Sequence, residues 1–320
     1  MARHTIPNLI EQTEERPIAR RPLMLSLVLS LRPGQWTKNL VIFGALGLGG
    51  RLLDGGSVIV SCAAFAIFCA LSGVVYLIND VADREADRQH PIKMRRPIAS
   101  GDLPVRVALT VAGVLGAMAL AGAFGINTRF GILAFSYLGL LTIYSGPLKH
   151  VVIIDVLTIA IGFVIRAAAG AVAISVEIGP WLYILTILLA LFLALTKRRH
   201  ELVLLADRAT GHRRILQEYS PYLLDQMISV VTASTIVAYA FYTVSPDTIA
   251  KFQTDMLAIT LPFPLYGIFR YLYLVHQKEG GGSPAEMLLT DKPLLACVGL
   301  WALTVAIIIY GPHALLLWRK

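Results

Sequence analysis

Apolar residues along the chain fall into long blocks, and each block is followed by a short polar, glycine-rich or proline-rich stretch. Most blocks approach the roughly 20 residues that a helix needs to cross a bilayer. The pattern therefore predicts an all-α bundle of nine spans. The blocks are 37–50, 56–78, 103–123, 128–145, 151–173, 181–196, 224–245, 252–275 and 292–311. The first is short and glycine-rich, so we expect residues 22–32 to lengthen it at a slant or to lie along the membrane.

The composition agrees with a membrane protein. Of 320 residues, 56% are hydrophobic and 15% charged, whereas soluble domains have about 45–50% apolar and about 25% charged residues. The alternating segments of roughly ten residues that are typical of an outer-membrane barrel are absent. Residues 1–21 are polar and lack the apolar core of a signal peptide. They predict a disordered cytosolic tail, followed by one polytopic membrane domain at 22–320.

Basic residues are unevenly divided between the connections. In a nine-span chain, the N-terminus and the connections after even-numbered spans share one side, which carries 22 of the 28 lysines and arginines. Basic residues beside spans stay in the cytoplasm. We therefore expect a multi-pass protein of the plasma (inner) membrane, with its N-terminus and polar chemistry on the cytosolic side. The net charge of +8 reflects this topology, and no nucleic-acid-binding motif accompanies it.

The second block ends in a dense group of charges, YLINDVADREADRQHPIKMRRP at 76–97. On a continuing helix, Asn79, Asp83 and Asp87 would share one face, with Asp80 beside them. Like charges at this spacing destabilise a helix, whereas Mg²⁺ binds carboxylate oxygens and completes its shell with water and substrate phosphates. The pattern favours a magnesium–diphosphate site. The alternative is a solvated helix end whose carboxylates are neutralised by neighbouring arginines.

Other basic residues point to anionic substrates. Lys93 and Arg96 closely follow the acidic residues, and such alternation suits the joint binding of metal and phosphate. Arg166 lies near the middle of block 151–173, where a charge costs about 2.5–3.5 kcal/mol on insertion scales, so we expect it to line a cavity. An ion pair with Asp155 is disfavoured, because the two residues are about 17 Å apart on an unbroken helix.

The sequence NDVADREAD resembles the NDxxDxxxD motif of the UbiA superfamily of intramembrane prenyltransferases. That resemblance spans about Leu31 to Pro312 and implies a nine-helix bundle whose active-site cavity faces the cytosol. Five further segments are similar to the decaprenyl-phosphate phosphoribosyltransferase branch of the superfamily. They are RPGQWTKN (32–39), HPIKMRRPIASG (90–101), YSGPLKH (144–150), GFVIRAAAGAVA (162–173) and KRRHEL (197–202).

This resemblance implies an Mg²⁺-dependent enzyme. It would transfer 5-phosphoribose from phosphoribosyl diphosphate (PRPP) to a polyprenyl, decaprenyl-type phosphate and release diphosphate, in a step toward polyprenylphosphoryl-arabinose. Implied catalytic residues are Asp80, Asp83 and Asp87, and implied metal ligands are Asn79, Asp83 and Asp87. Implied substrate-binding residues are Lys38, Lys93, Arg96, Tyr144, Lys149, Asp155, Arg166, Lys197, Arg198 and Glu201. The expected partners are PRPP, the polyprenyl phosphate and membrane lipids, and the sequence leaves open whether the chain forms a homo-oligomer.

One segment departs from the superfamily pattern. Prenyl-transferring members carry a second motif, DxxxD, for a second Mg²⁺, and here the matching sequence DVLTI has Asp155 but Ile159 in place of the second acid. This difference counts against an isoprenyl diphosphate donor. Two alternatives remain open: a prenyltransferase that joins an isoprenyl diphosphate to an aromatic acceptor, and a transporter or lipid-binding membrane protein.

Overall fold

The computed structural model describes residues 21–177, 179–206, 218–277 and 284–318; nearly all of the predicted tail, 1–21, lies outside them. Within these ranges the chain is helical and has no strand. The α-helices are α1 (Leu23–Leu31), α2 (Gly44–Leu48), α3 (Gly55–Ala82), α4 (Arg84–Gln89), α5 (Pro97–Ser100), α6 (Val105–Ile126), α7 (Thr128–Ser145), α8 (Ile154–Ala173), α9 (Pro180–Ala206), α10 (Pro221–Val244), α11 (Pro246–Phe252), α12 (Pro262–Gln277), α13 (Pro284–Thr290) and α14 (Lys292–Trp318). Short 3-10 helices lie at Pro33–Phe43, Lys93–Arg95, Leu148–His150 and Met256–Thr260.

Seven helical segments of the described ranges are long and apolar enough to cross a membrane. They are Gly55–Ala82, Val105–Ile126, Ile154–Ala173, Pro180–Val203, Pro221–Val244, Met256–Gln277 and Lys292–Gly311. Each corresponds to one predicted block. An eighth block, 128–145, coincides with α7, which has 18 residues. The all-α, membrane-integral class is thus confirmed, while the count of nine spans stays a prediction.

The first predicted block, 37–50, is not a single long α-helix. It is formed by the 3-10 helix Pro33–Phe43, of 11 residues, and the five-residue helix α2. A 3-10 helix rises about 2.0 Å per residue and an α-helix about 1.5 Å, so together they would extend about 30 Å along a straight axis. This length is close to the thickness of the hydrocarbon core. The tighter winding lets a block that is short in sequence reach further than its residue count suggests.

Helix α1 does not continue into this 3-10 helix. Arg32, between them, has the left-handed dihedral angles φ 52° and ψ 62°, so the chain changes direction there. Ser26 and Ser30 of α1 are buried, while apolar residues such as Met24 are exposed. An outward apolar face suits contact with lipid. Residues 22–32 therefore form a separate helix on the bundle and do not lengthen the first block.

The 3-10 helix packs against α8 through a very close backbone contact. A Cβ atom at Gly170 would lie 2.2 Å from the carbonyl oxygen of Ile42, a distance that real Cβ atoms do not adopt. Only glycine allows this approach. The contact fixes the position of Lys38 and Asn39 on the 3-10 helix, and Asn39 is fully buried.

The core contains two large apolar clusters. One joins α3, α6, α7, α8 and the 3-10 helix around Phe68, Phe130 and Tyr137. The other joins α8, α9, α10, α12 and α14 around Phe192 and Tyr271, whose ring centroids are 5.2 Å apart. Helix α8 contributes to both clusters, so the elements that carry the predicted site residues are held on one framework.

Replacing Gly170 with alanine is expected to destabilise the bundle. Overpacking a core typically costs about 1–3 kcal/mol, because the backbone has to move to admit the methyl group. The midpoint of thermal unfolding of the purified protein in detergent measures the change. Gly113→Ala is the matched control, because nothing lies within 4 Å of a Cβ atom at that helical glycine. If Gly170→Ala were as stable as Gly113→Ala, the close contact with Ile42 would be contradicted.

Candidate active site at one end of the bundle

The predicted acidic face is largely preserved, although the helix that carries it is interrupted. α3 ends at Ala82, Asp83 has φ −89° and ψ 3°, and α4 begins at the next residue. Backbone hydrogen bonds from the Asp83 amide to the Asn79 carbonyl (2.9 Å) and from the Asp87 amide to the Asp83 carbonyl (2.8 Å) continue the helical path across the break. The side-chain amide of Asn79 donates to Asp83 Oδ2 at 3.1 Å.

Two arginines neutralise the buried acids of this face. Arg96 Nη1 donates to Asp80 Oδ1 at 3.1 Å and to Asp87 Oδ2 at 2.6 Å, so it bridges both carboxylates. Arg32 Nη2 donates to the same Asp80 oxygen at 2.5 Å. Asp80 and Asp87 are 2% and 3% exposed, and a buried carboxylate has to be paired in this way. Arg32 is absent from the residues predicted from the sequence, although it opens one of the segments that carry the family resemblance.

Lys149 pairs with the third acid. It lies in the 3-10 turn Leu148–His150, and its ammonium donates to Asp83 Oδ1 at 2.6 Å. The lysine side chain is 8% exposed and that of Asp83 is 23% exposed. Three acids from the α3–α4 region thus meet cations from three separate segments of the chain. We call this end of the bundle the polar end.

The donor set at the polar end fits Mg²⁺ in its chemistry. Carboxylate and amide oxygens are ligands that a hard cation prefers, and Mg²⁺ needs only one or two carboxylates besides water and phosphate. The described residues, however, form no ready cluster of three metal-binding side chains, and all three aspartates contact basic side chains. Asp83 is the most accessible of them. The assignment of Asn79, Asp83 and Asp87 as metal ligands stays a prediction.

A second, more buried group of charges surrounds Arg198. Its Nη2 donates to Asp155 Oδ2 at 2.5 Å and its Nη1 to Glu201 Oε2 at 2.9 Å. The Tyr219 hydroxyl donates to Asp155 Oδ1 at 2.8 Å. Asp155 is fully buried, so both of its oxygens are already occupied by protein donors. This acid holds a basic residue in place.

Tyr219, which was not predicted, anchors this group. The backbone amide of Ile153 donates to its hydroxyl at 2.7 Å, and Ile153 has a φ of +70°, which is rare for a β-branched residue. Burial, together with the nearby Asp155, raises the pKa of Tyr219 to about 12. The phenol therefore stays protonated and donates to Asp155. No pattern in the sequence distinguishes Tyr219 from the chain's other tyrosines.

Arg166 is a buried cation of a different kind. It is 5% exposed, and within the described ranges no carboxylate forms an ion pair with it. Its guanidinium lies 4.7 Å and 4.9 Å from the ring centroids of Tyr137 and Phe163. Nη2 donates to the Tyr137 hydroxyl at 2.6 Å, while Nε has no partner. An ion pair with Asp155 is excluded, because Asp155 is bound to Arg198.

Further lysines add to the positive charge around Arg166. Lys38 is exposed, and Lys197, Arg166 and Arg32 are all near enough to repel its ammonium. Lys197 is 49% exposed, with Nζ 3.9 Å from Glu201 Oε1. Mutually repelling cations are stabilised when an anion binds between them. This group is suited to phosphate.

The last two predicted residues lie at the edge of the site. Lys93 begins a 3-10 turn in the connection between α4 and α5, and its backbone amide donates to His90 Nδ1 at 3.3 Å. Tyr144 lies in the last turn of α7, near enough to Arg198 to interact with its charge. Both residues are therefore on connections to the polar end.

A separate cavity of about 800 Å³ lies away from these charges. It is bordered by the connection between α8 and α9 and by α11, with Arg51, Trp181 and Lys251 in its wall. None of the residues predicted from the sequence lines it. Position and chemistry both favour the polar end as the candidate site.

Several described helices are long and apolar enough to cross a membrane, and carboxylates, an amide and cations are gathered at one end of the bundle. These features define a membrane-integral protein with its polar chemistry at that end. The family model described as "UbiA prenyltransferase family" matches residues 40–290. The chain belongs to this family and is an enzyme.

Two relatives share the decaprenyl-phosphate phosphoribosyltransferase name. The protein from Mycobacterium tuberculosis is 32% identical over 291 residues, which are 88% of this chain and 94% of the relative. The protein from Corynebacterium glutamicum is 31% identical over 293 residues, 89% of this chain and 86% of the relative. The resemblance to this branch that the motifs suggested is thus confirmed.

A solved structure shares the fold. A UbiA homolog from Archaeoglobus fulgidus, bound to GPP and Mg²⁺, superposes with a TM-score of 0.67 and covers 89% of this chain and 99% of its own. The sequence identity is 19%, so this likeness concerns the fold alone.

Replacing Arg96 with methionine is expected to lower stability. The change leaves the buried carboxylate of Asp87 without its cation, and breaking a buried pair commonly costs about 3–5 kcal/mol. Thermal unfolding in detergent measures the loss, with Arg106→Met, an exposed arginine at the start of α6, as control. Mg²⁺ should raise the midpoint of Arg96→Met more than that of the wild type, because a bound cation would replace the missing charge. Equal midpoints for the two variants would show that Arg96 does not hold the acids.

Proposed function

We propose that this enzyme transfers 5-phosphoribose from PRPP to a polyprenyl, decaprenyl-type phosphate in an Mg²⁺-dependent reaction that releases diphosphate. The product would be a precursor of polyprenylphosphoryl-arabinose. Support comes from the relatives named for this activity, which align with most of the chain at 31–32% identity. Further support comes from the distribution of charge at the polar end of this chain.

The observation that carries the proposal is the contrast between the two groups of acids. The α3–α4 acids include Asp83, which remains partly accessible. Asp155 and Glu201, in contrast, are both held by Arg198. The second group therefore offers little to a second Mg²⁺, and Arg166, Lys38 and Lys197 nearby offer positive charge. Such a site suits a donor with one metal-bound diphosphate and a further phosphate.

In the proposed reaction, an oxygen of the acceptor phosphate attacks C1 of the ribose while the bond from C1 to the diphosphate oxygen breaks. The diphosphate leaves with the bonding electrons, and the configuration at C1 inverts. The attacking phosphate is already an anion, so no general base is required. Asn79, Asp83 and Asp87 would hold Mg²⁺, which neutralises charge on the departing diphosphate when bound.

The protein's own side chains position the phosphates. Lys38, Lys197 and Arg166 would donate charge-assisted hydrogen bonds, which are the stronger ones in a partly dry site. Lys149, which pairs with Asp83 in this structure, would contact a phosphate as well. Asp80 would keep Arg32 and Arg96 in position.

We place the reaction at the cytosolic face of the plasma membrane. The polar end carries basic residues at the ends of several spans, and such residues remain in the cytoplasm. The polyprenyl tail would lie between apolar helices that face lipid. A prenyltransferase acting on an isoprenyl diphosphate is the second candidate, because the family model describes prenyltransferases and the Archaeoglobus neighbour is bound to GPP.

An assay of donor choice tests the proposal. Purified protein with Mg²⁺ is expected to release diphosphate from PRPP when a polyprenyl phosphate is supplied, and not from an isoprenyl diphosphate with an aromatic acid. EDTA should abolish this release and excess Mg²⁺ should restore it. Asp83→Asn should lose most of the activity, whereas Asp102→Asn, the same change in the connection between α5 and α6, should retain it.

Release from the isoprenyl diphosphate would instead support the prenyltransferase. Activity that persists in EDTA, or near-normal turnover by Asp83→Asn, would show that the metal ligands are wrongly assigned. Release from neither donor would contradict both candidate reactions.

Lys197→Ala is expected to raise the KM for PRPP by about 10-fold to 100-fold, because removing a hydrogen bond to a charged group commonly costs about 1.5–3 kcal/mol. The KM for the lipid acceptor should change much less. Steady-state kinetics with each substrate varied in turn measures both constants. Lys292→Ala, which removes an exposed lysine from the start of α14, is the control. A rise confined to the acceptor's KM would mean that the positions of the two substrates are reversed.

A further inference from the structure

A chain of hydrogen bonds leads from Arg166 into the interior of the bundle. Arg166 Nη2 donates to the Tyr137 hydroxyl at 2.6 Å, and that hydroxyl lies 3.0 Å from Ser72 Oγ. Ser72 Oγ in turn lies 3.4 Å from Asn39 Oδ1. The four side chains come from α8, α7, α3 and the 3-10 helix, and each is at most 5% exposed. Four separate elements are thus joined through polar side chains at membrane depth.

Only the first bond of this chain has a fixed direction. A guanidinium can only donate, so the Tyr137 oxygen accepts from Arg166. In the bond between Tyr137 and Ser72 either hydroxyl can donate. Ser72 and Asn39 are joined by two contacts, from the Asn39 amide nitrogen to Ser72 Oγ at 3.3 Å and from Ser72 Oγ to Asn39 Oδ1 at 3.4 Å. The Asn39 amide nitrogen also contacts Cys69 Sγ at 3.3 Å.

We propose that Tyr137, Ser72 and Asn39 are positioning residues that hold the Arg166 guanidinium where it binds a substrate phosphate. This inference rests on the proposed function for the identity of the phosphate. Arg166 is buried without an acid partner, and the Tyr137 hydroxyl is the hydrogen-bond partner that the structure records for it. Without that bond, the guanidinium would be constrained only by the faces of two aromatic rings.

The packing of Tyr137 makes it a rigid support. Its side chain is 1% exposed, and its ring centroid lies 5.1 Å from that of Phe68 in the core. Asn39, at the far end of the chain, is the residue next to Lys38. The same network therefore connects Arg166 with the segment that carries a second cation of the site. In a water-poor interior such a network is stiff, because each broken bond leaves a polar group unpaired.

Tyr137→Phe tests the inference with the loss of one oxygen atom. The variant keeps the aromatic packing and is expected to raise one KM about tenfold, that of the substrate whose phosphate Arg166 contacts, with a much smaller change in kcat. PRPP and the polyprenyl phosphate are varied separately, so the result also tells which of them Arg166 binds. Ser72→Ala, one bond further along, should shift the same KM in the same direction by less.

Tyr239→Phe is the matched control. The Tyr239 hydroxyl is also buried and hydrogen-bonded, to Thr260 at 2.6 Å and from Trp301 at 2.8 Å, but no residue of the site contacts it. It should lose stability as Tyr137→Phe does and leave both KM values unchanged. Equal kinetic effects of the two variants would overturn the inference, because both would then act through general stability.

A double-mutant cycle with Arg166→Ala separates positioning from packing. Binding of pyrophosphate in Mg²⁺, measured by calorimetry, serves as a readout besides turnover. If Tyr137 acts through Arg166, then Tyr137→Phe weakens binding in the wild type and has no further effect in Arg166→Ala. Additive losses would overturn the positioning role, as would unchanged pyrophosphate binding and KM values in Tyr137→Phe. If the wild type does not use PRPP but the cycle still shows coupling, the proposed function fails and the positioning role stands.

Discussion

A charged side chain inside a membrane bundle has to find an opposite charge or a hydrogen-bond partner, because neither lipid nor core can solvate it. The polar end satisfies this constraint through pairs between distant segments. Arg32 comes from before the first block, Arg96 from the connection after α4, and Lys149 from the connection after α7; all reach acids of the α3–α4 region. These pairs hold the connections in place, and therefore shape the surface on which a substrate would bind.

Arg166 is the informative exception to this pairing. Elsewhere at the polar end the buried charges are matched, as in the group formed by Asp155, Arg198 and Glu201. Arg166 has aromatic faces and one hydroxyl in place of a carboxylate. A buried cation without an acid costs free energy unless an anion supplies the missing charge. The folded protein thus retains positive charge where the proposed reaction needs to bind phosphate.

The sequence predicted the helices well and their side-chain pairs poorly. Long apolar blocks with clear charged ends, such as 56–78 and 128–145, correspond to α3 and α7 because burial and length leave few alternatives. The spacing of Asn79 and Asp83 along the sequence also predicted correctly that the two side chains lie together. The contacts of Arg32 and Tyr219 join residues 48 and 64 positions apart, and no local periodicity encodes such distances. Tyr137 and Ser72 were missed for the same reason, since each is an ordinary core position until the partner helix is known.

The close pairing of acids and cations also suits the exchange of partners. In the proposed reaction Asp83 would hold Mg²⁺, and Lys149, which pairs with Asp83 in this structure, would contact a phosphate of the donor. A site of acids alone would repel the diphosphate before the metal bound, and a site of cations alone would hold it too tightly to release. The alternating segment 76–97 contributes Asp83 to this pairing, and the distant segment 144–150 contributes Lys149.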